Sequence, residues 1–356
     1  MRYLRRFRTS YLLPVFRDLC RLSISAGRQI QRRRAARFAA AGVMAAGLLT
    51  AGCGSRVTAE PTASVTTHVT VFAQEVVDDA PFWIALKDGF FRAQGLSLTV
   101  KPLAKTTLGL AGLESGQESF IVGGNFPTML QADASGQLSV RIVVEGYQGA
   151  PRVMEVLALP RSHIADAADL AHKTVAVNLK GGIQTLTLNA VLSAEGVNPA
   201  TVHYRLVSFP DMAAALRHHQ VDAVDLLEPF MTQTELGEGA IPVVDQLTGP
   251  TSNFPISGVF TTGSFATKHP RLVAAFQRAM FRAQAFADTH RAAVEQILPT
   301  YIKGVTSTVA ALVNLGDFPT GLDPIPIQRV ADLMFASHLL PYRLTVADLL
   351  FRAPAG

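Results

Sequence analysis

A lysine and a glycine pair stand where a helix is predicted to begin, and together they could bind an anion. Residues 178–184 read NLKGGIQ and lie between a predicted strand and a predicted helix. Glycines let backbone N–H groups approach a ligand, and a helix N-terminus carries partial positive charge. Lys180 would add a full charge. This chemistry suits a sulfonate, nitrate or carboxylate group, and the alternative is a plain glycine turn with a solvated Lys180.

Other polar side chains follow predicted strands, where α/β sheets bind their ligands. Asn125 can donate and accept hydrogen bonds, and it is equally suited to cap the helix that follows it. Glu228 ends a predicted strand, where it could accept hydrogen bonds from an amine or pair with a neighbouring side chain. Asp78 and Asp79 are predicted to cap the next helix.

Two aromatic residues could form a wall for a ring-bearing ligand. Trp83 lies early in a predicted helix, where burial in the core is the simpler interpretation. Tyr147 lies among small residues at a predicted hinge. The predicted ligand-binding residues are Asp79, Trp83, Gly124, Asn125, Phe126, Tyr147, Lys180, Gly181, Gly182, Gln184, Glu228 and Asn253.

Cys53 follows a stretch with the layout of an export signal. Eleven arginines precede an apolar run over residues 38–51, and this run is shorter than the roughly 18 residues of a membrane-spanning helix. Residues 49–53, LTAGC, resemble a bacterial lipobox, although Thr50 replaces the usual leucine. The resemblance implies cleavage before Cys53 and a lipid on its thiol. An ordinary export signal with a coincidental cysteine is the alternative.

Removing the predicted signal reverses the charge of the chain. Of 32 basic and 27 acidic residues, eleven arginines and one acid precede Cys53, which leaves 21 basic and 26 acidic residues. An acidic domain argues against nucleic acid as a partner. The remaining part contains a single cysteine, so no internal disulfide is expected. Its histidines match no zinc-binding spacing, and no phosphate-binding loop or nucleophile elbow is present. We predict neither catalysis nor a metal or cofactor.

Strands and helices alternate after a tether that is rich in Ser, Thr, Ala and Pro. Strands are predicted at residues 69–72, 96–100, 120–122, 140–144, 153–159, 174–177, 202–209, 223–227, 241–244 and 259–262. Helices are predicted at residues 80–94, 128–134, 183–195 and 212–219, with Asp211 as the N-cap of the last, and the chain after residue 262 is predicted to be mostly helical. This alternation indicates α/β structure, and its two blocks indicate two lobes. Gly/Pro-marked breaks near residues 149–151 and 249–251 are the predicted hinges.

Several segments resemble the nitrate/taurine/sulfonate-type substrate-binding proteins of ABC transporters, an NMT1/THI5-like group. The similar segments are residues 79–96 (DAPFWIA, GFF and GL), 115–124 (SGQESFIVGG), 169–177 (DL and KTVAV), 221–229 (VDA and EP) and 268–276 (KHP and VAAF). The resemblance implies an α/β, two-lobed type II periplasmic-binding-protein fold with an interlobe cleft and two hinge crossovers. The predicted domains are a signal peptide (1–52), a tether (53–67), lobe I (68–148 plus 253–356) and lobe II (149–252).

The resemblance also implies a function and its partners. We expect a monomeric solute-binding lipoprotein that is exported and held at the outer face of the cell membrane or in the periplasm by a lipid on Cys53. It would deliver a small sulfonate, nitrate or taurine-class solute to an ABC permease with a separate ATPase subunit. A receptor for a ring compound, such as a thiamine pyrimidine or riboflavin precursor, is the alternative. A pyrimidine-synthesis enzyme on the same fold is less favoured, since that branch carries a cysteine-rich iron motif.

Overall fold

The computed structural model describes residues 66–354 of the 356-residue chain. The predicted signal peptide, Cys53 and the tether up to residue 65 lie outside the described residues. The strands are β1 (Thr67–Ala73), β2 (Leu96–Pro102), β3 (Phe120–Asn125), β4 (Val140–Gln148), β5 (Met154–Ala158), β6 (Thr174–Val177), β7 (His203–Leu206), β8 (Ala223–Leu227), β9 (Ile241–Asp245) and β10 (Pro255–Thr262).

The helices alternate with these strands in the first two thirds of the described chain and dominate its last third. They are α1 (Ala80–Lys87), α2 (Phe90–Ala93), α3 (Thr106–Ser115), α4 (Phe126–Ala134), α5 (Ile183–Ala194), α6 (Phe209–Arg217), α7 (Phe230–Glu238), α8 (Gly263–Lys268), α9 (Pro270–Thr289), α10 (Arg291–Tyr301), α11 (Ser307–Leu312) and α12 (Pro324–Ala336). Among residues 66–354, none of these helices combines the length and the apolar character needed to span a bilayer.

Two five-stranded sheets share one topology. The first has the order β2-β1-β3-β10-β4 and the second the order β7-β6-β8-β5-β9. In each sheet the first three strands run parallel, and the fourth is antiparallel to both of its neighbours. We call the part of the chain built on the first sheet the first lobe, and the part built on the second sheet the second lobe. The predicted α/β fold is confirmed.

The chain passes twice between the two sheets. It leaves the first sheet after Gln148 and enters the second at Met154, and it leaves the second after Asp245 and returns at Pro255. Both sheets belong to one compact unit. Because each crossover consists of a few residues outside the sheets, it is a natural pivot between the lobes. The exact lobe boundaries given above stay a prediction.

The core of the first lobe is aromatic. Phe276 on α9 stacks on Phe120 of β3 with ring centroids 4.1 Å apart, and it also packs against Phe91 of α2. These three rings are almost completely buried. Burial of such rings stabilises the lobe by roughly 2 kcal/mol each. They thereby hold β3, whose carboxyl end reaches the candidate site.

Some predicted elements differ from those of the structure. The helix predicted over residues 80–94 is broken at Gly89, whose φ of +76° belongs to the left-handed region that favours glycine. The strand predicted at residues 202–209 ends at Leu206, and α6 begins at Phe209. Asp211 is therefore not the N-cap of α6 but lies in its first turn, where it accepts a hydrogen bond from Ser208 Oγ.

The capping predicted for the acids before α1 is also wrong. Asp79 occupies the N-cap position of α1, but its side chain makes no capping hydrogen bond to the helix. Its carboxylate accepts a hydrogen bond from Gln74 N instead, at 3.0 Å. The predicted helical character of the last segment holds only to Ala336, because residues 337–351 are mostly irregular.

Candidate functional site

A cavity lies at the carboxyl ends of strands from both sheets, where α/β proteins bind their ligands. The empty space counted together with the open solvent at its mouth is about 480 Å³, and the enclosed part that admits water is about 40 Å³. The first lobe lines it with Gln74, Val76, Asp78, Lys105, Thr106, Gly123, Asn125, Ile256 and Ser257. The second lobe lines it with Asn178, Leu179, Gly182, Ile183, Gln184, Phe209 and Leu227. Asn125, Gly182 and Gln184 are the predicted ligand-binding residues that the structure brings together here.

Three helices begin at the wall of this cavity. α3 starts at Thr106, α5 at Ile183 and α6 at Phe209, and the residue before each of them makes no capping side-chain hydrogen bond. The first N–H groups of a helix have no partner within the helix, and partial positive charge accumulates at that end. α6 contributes least, because Pro210 has no N–H and Asp211 places an acidic side chain in its first turn. The uncapped starts of α3 and α5 are the ones that favour an anionic group on the ligand.

Hydrogen bonds between side chains hold the wall of the first lobe. Thr106 Oγ1 accepts from Asn125 N and Asn125 Nδ2, both at 3.0 Å, and from Gln74 Nε2 at 3.3 Å. Asn125 Oδ1 in turn accepts from Thr128 N at 3.0 Å, so Asn125 caps α4 as its sequence position suggested. One N–H of the Asn125 amide remains for a ligand, because the amide has two donors and uses one.

A buried network holds the wall of the second lobe. Gln184 accepts from Asn178 N at 2.8 Å and donates to Asp225 Oδ1 at 3.2 Å. Gln246 also donates to Asp225 Oδ1, at 2.6 Å, and accepts from Thr187. Asp225 Oδ2 has no hydrogen-bond partner, and burial raises the pKa of this carboxyl to about 7. Gln184 thus positions the 178–182 loop through both ends of its amide.

Adjacent buried acids lie at one side of the cavity, and only Asp78 lines it. Ser257 Oγ donates to Asp78 Oδ2 at 2.8 Å. Burial raises the pKa of Asp78 to about 6, and the bond from Ser257 limits that rise. Burial, together with the neighbouring Asp78 charge, raises the pKa of Asp79 well above its usual range. Asp78 is therefore the carboxyl of this pair that can meet a ligand in the cavity.

The family described as NMT1/THI5 like matches residues 77–293, which is more than half of the chain. The chain belongs to the NMT1/THI5-like family. The family resemblance predicted from the sequence is confirmed. The matched range of this NMT1/THI5-like protein contains every residue that lines the cavity except Gln74 and Val76. No curated protein matches the chain significantly.

Solved structures share the fold of this NMT1/THI5-like protein. The alkanesulfonate-binding protein SsuA from Xanthomonas axonopodis pv. citri, bound to MOPS, superposes with a TM-score of 0.67 at 21% identity, over 80% of this chain and 98% of that chain. The periplasmic nitrate-binding protein NrtA from Synechocystis PCC 6803 has a TM-score of 0.67 at 15% identity, over 80% of this chain and 85% of that chain. The desulfurization enzyme DSZB has a TM-score of 0.58 at 19% identity, over 80% of this chain and 96% of that chain. The predicted periplasmic-binding-protein fold is confirmed.

Four other predicted residues serve packing and internal hydrogen bonds in this NMT1/THI5-like protein. Tyr147 is fully buried, and its hydroxyl accepts from a backbone N–H of the C-terminal segment at 2.6 Å. Phe126 is buried edge-to-face against a ring of β10, 5.3 Å away, and the same ring covers Gly124. The Asp79 carboxylate is occupied by the Gln74 N–H described above. None of the four lines the cavity.

Glu228, Trp83 and Asn253 also lie outside the cavity lining. The Glu228 carboxylate accepts hydrogen bonds from the backbone N–H and hydroxyl of Thr232 and from the backbone N–H and side-chain amide of Asn314. Both of its oxygens are therefore engaged within the protein. Trp83 stacks on a tyrosine of α10 with ring centroids 4.8 Å apart. Asn253 is exposed in the second crossover, with a φ of +52°, and its carbonyl accepts from the Gln148 amide at 2.8 Å.

Lys180 and Gly181 line a different pocket from Gly182. Thr185, Leu186, Asn189, Tyr204, Ser337 and Leu339 complete that pocket. The 178–184 loop thus has two faces: Asn178, Leu179 and Gly182 face the cavity, and Lys180 with Gly181 faces this second pocket. The lysine that lines the cavity is Lys105, directly before α3.

Sequence reasoning missed Lys105, Thr106, Phe209, Leu227, Ile256 and Ser257. A signal existed for some of them. Lys105 and Thr106 lie three and four residues after the end of β2, and Phe209 lies three residues after the end of β7. Both loops therefore obey the rule that sites form at the carboxyl ends of strands. Ile256 and Ser257 lie within β10, and their place beside the cavity depends on sheet order, which no local pattern contains.

Proposed function

We propose that this protein is the solute-binding component of an ABC-type importer and that it captures a small organic anion of the sulfonate, nitrate or taurine class in the cavity between its lobes. The observation that carries the proposal is the convergence of the uncapped N-termini of α3 and α5 and of Lys105 on one cavity. Backbone N–H groups at helix starts bind anions without any further cofactor.

Capture follows from hinge bending in this proposal. The lobes are joined through two short crossovers, and polar atoms of both lobes face the cavity. Beside the cavity, Asn178 Nδ2 donates to Ala104 O and Gln131 Nε2 to Gly181 O, each at 3.5 Å, and farther from it Asn314 N donates to Glu228 Oε1 at 3.0 Å. A ligand that contacts both walls at once stabilises the closed form by the difference in its affinity for the two forms. The closed protein would then deliver its solute to a permease with a separate ATPase subunit.

A thermal-shift panel tests the proposed function. The panel contains ethanesulfonate, 2-aminoethanesulfonate, nitrate, small carboxylates, an aminopyrimidine and riboflavin. A true ligand at about one hundred times its Kd adds about 2.7 kcal/mol to the free energy of unfolding and raises Tm accordingly. Stabilisation by anions supports the proposal. A rise in Tm with the aminopyrimidine or riboflavin alone contradicts an anionic ligand and favours a receptor for a ring compound.

A receptor for a ring compound is the second candidate, and Phe209 is the observation that favours it. Phe209 lines the cavity and stacks on Phe230, with ring centroids 5.4 Å apart and nearly parallel planes. An aromatic ligand could extend that stack. An enzyme on this fold is less favoured, because the sequence lacks the cysteine-rich iron motif of the pyrimidine-synthesis branch.

Two lysine variants distinguish the cavity from the second pocket. We expect Lys105→Ala to weaken binding of the tightest anion from the panel about tenfold, equivalent to about 1.4 kcal/mol, because an ammonium is lost from the cavity wall. Lys180→Ala is the matched control and should change the Kd less than about twofold. Isothermal titration calorimetry measures both. A larger loss in Lys180→Ala than in Lys105→Ala would contradict the assignment of the cavity.

Lipid anchoring is a separate part of the proposal. It rests on the lipobox-like residues 49–53, with Cys53 as the acceptor of the lipid, and it places the protein at the outer face of the cell membrane or in the periplasm. We expect Cys53→Ser to move the protein from the membrane fraction to the soluble fraction, because the acylated thiol would be its anchor. Fractionation and immunoblotting measure this shift. Unchanged membrane retention of Cys53→Ser would contradict lipidation at this residue.

A further inference from the structure

Two residues with ionisable side chains line the cavity, and their charges are opposite. Among the residues lining it, Asp78 is the acid and Lys105 is the base. Asp78 belongs to the segment after β1, and Lys105 directly precedes α3. Both belong to the first lobe, so their relative position does not depend on closure of the second lobe.

Asp78 has no cation to balance it. Its side chain is buried, with 6% of the residue exposed, and Ser257 Oγ is its hydrogen-bonding side-chain partner. No salt bridge within residues 66–354 includes Asp78. A buried carboxylate without a cation is unfavourable, so a positive group brought by a ligand would bind strongly beside it.

Lys105 has no carboxylate to balance it either. It is half-buried, and none of the salt bridges within residues 66–354 includes it. In particular, the Lys105 ammonium and the Asp78 carboxylate do not form an ion pair with each other. The cavity therefore holds one ionisable group of each sign without an ion-pair partner, and the N-termini of α3 and α5 add to the positive one.

A simple anion would satisfy only one of these charges. It would bind beside Lys105 and the helix N-termini, but it would add a negative charge to a cavity that already contains the Asp78 carboxylate. Like charges in a water-poor site repel by several kcal/mol. A molecule with an ammonium group as well as an anionic group satisfies both residues.

We infer that the solute is a small zwitterion, whose anionic group lies at Lys105 and the helix N-termini and whose ammonium group is bound by Asp78. The inference rests on the proposed function and specifies the ligand class within it. Asp78 is accordingly the specificity-determining residue of the cavity: it rejects simple anions of the same size and shape.

Matched solutes test the inference on the unaltered protein. The pairs are 2-aminoethanesulfonate with ethanesulfonate and 3-aminopropionate with propionate, measured by calorimetry at pH 7.5. We expect the aminated member of at least one pair to bind tenfold or more tightly than its partner. Equal or tighter binding of the amine-free members would overturn the inference while leaving anion capture intact. Binding of no member of either pair and no other anion would overturn the proposed function itself.

A pair of neighbouring variants tests the role of Asp78. Asp78→Asn should weaken binding of the aminated solute tenfold or more, and it should leave binding of the amine-free solute unchanged or make it tighter. Asp79→Asn makes the same chemical change one residue away, at a carboxyl that does not line the cavity, and should keep the preference for the amine. If Asp78→Asn retains the full preference, the inference is wrong. Should this variant fail to fold, the matched solutes on the unaltered protein still decide between the two outcomes.

Discussion

Replacing Gly123 by alanine is expected to destabilise the protein by at least about 3 kcal/mol and to weaken ligand binding more than tenfold. A Cβ at this position would lie 2.3 Å from Asp79 Oδ2 and 2.7 Å from Asp79 Oδ1. The Asp79 carboxyl is buried and bonded to Gln74 N, so it cannot move aside cheaply. Gly123 itself lines the cavity, and its carbonyl accepts from the Gln74 amide.

Gly136→Ala is the matched control for this variant. Gly123 and Gly136 have nearly the same backbone conformation, with φ of +73° and +75°, but a Cβ at Gly136 would meet nothing within 4 Å. The control should therefore lose only the roughly 1–2 kcal/mol that a left-handed conformation costs an L-residue. Urea unfolding measures both variants. Equal losses would show that the collision with Asp79 has no energetic weight.

Asp225→Asn is expected to stabilise the protein by on the order of 3 kcal/mol at pH 8 and to have little effect at pH 4. Burial raises the pKa of Asp225 from 3.8 in an unperturbed residue to about 7 in the folded protein. The folded state therefore holds a proton that the unfolded state has released between these values. The stability that this group contributes is complete below about pH 4 and is lost as the pH rises through 7.

Asparagine suits this site at high pH because it is neutral and can keep the hydrogen bonds. Its carbonyl oxygen can accept from Gln184 and Gln246 as Asp225 Oδ1 does, and its amide would replace Oδ2, which has no partner. Asp222→Asn is the control, since Asp222 is exposed directly before the same strand. Chemical unfolding at both pH values measures the difference. A gain for Asp225→Asn that is equal at pH 4 and pH 8 would contradict an ionisation effect.

Local patterns in the sequence were sufficient to predict most of the elements. The predicted strand at residues 174–177 has the same bounds as β6, and the helix predicted at residues 183–195 ends one residue later than α5. Side-chain alternation, helical spacing and Gly/Pro stops act between near neighbours, so they can be recognised without knowing the fold. The break at Gly89 was missed because apolar spacing of four continues through it.

Sheet order could not be predicted from such patterns. β10 is inserted between β3 and β4, although more than a hundred residues separate it from either in sequence. This pairing brings Ser257 beside Asp78 and both to the cavity. The two lobes were predicted from the two blocks of strands and helices and from the family resemblance, but short-range periodicity contains no information on which strands pair.

The chain by itself determined the α/β class, the positions of the crossovers and the loops from which a site would be built. Tertiary packing decided which side chain of each loop faces the cavity. It placed Lys105 rather than Lys180 at the cavity, and Asp78 rather than Asp79. It also directed the Glu228 carboxylate to Asn314. Adjacent side chains of a loop point in different directions. Contacts with segments that are distant in sequence decide which of them faces the cavity.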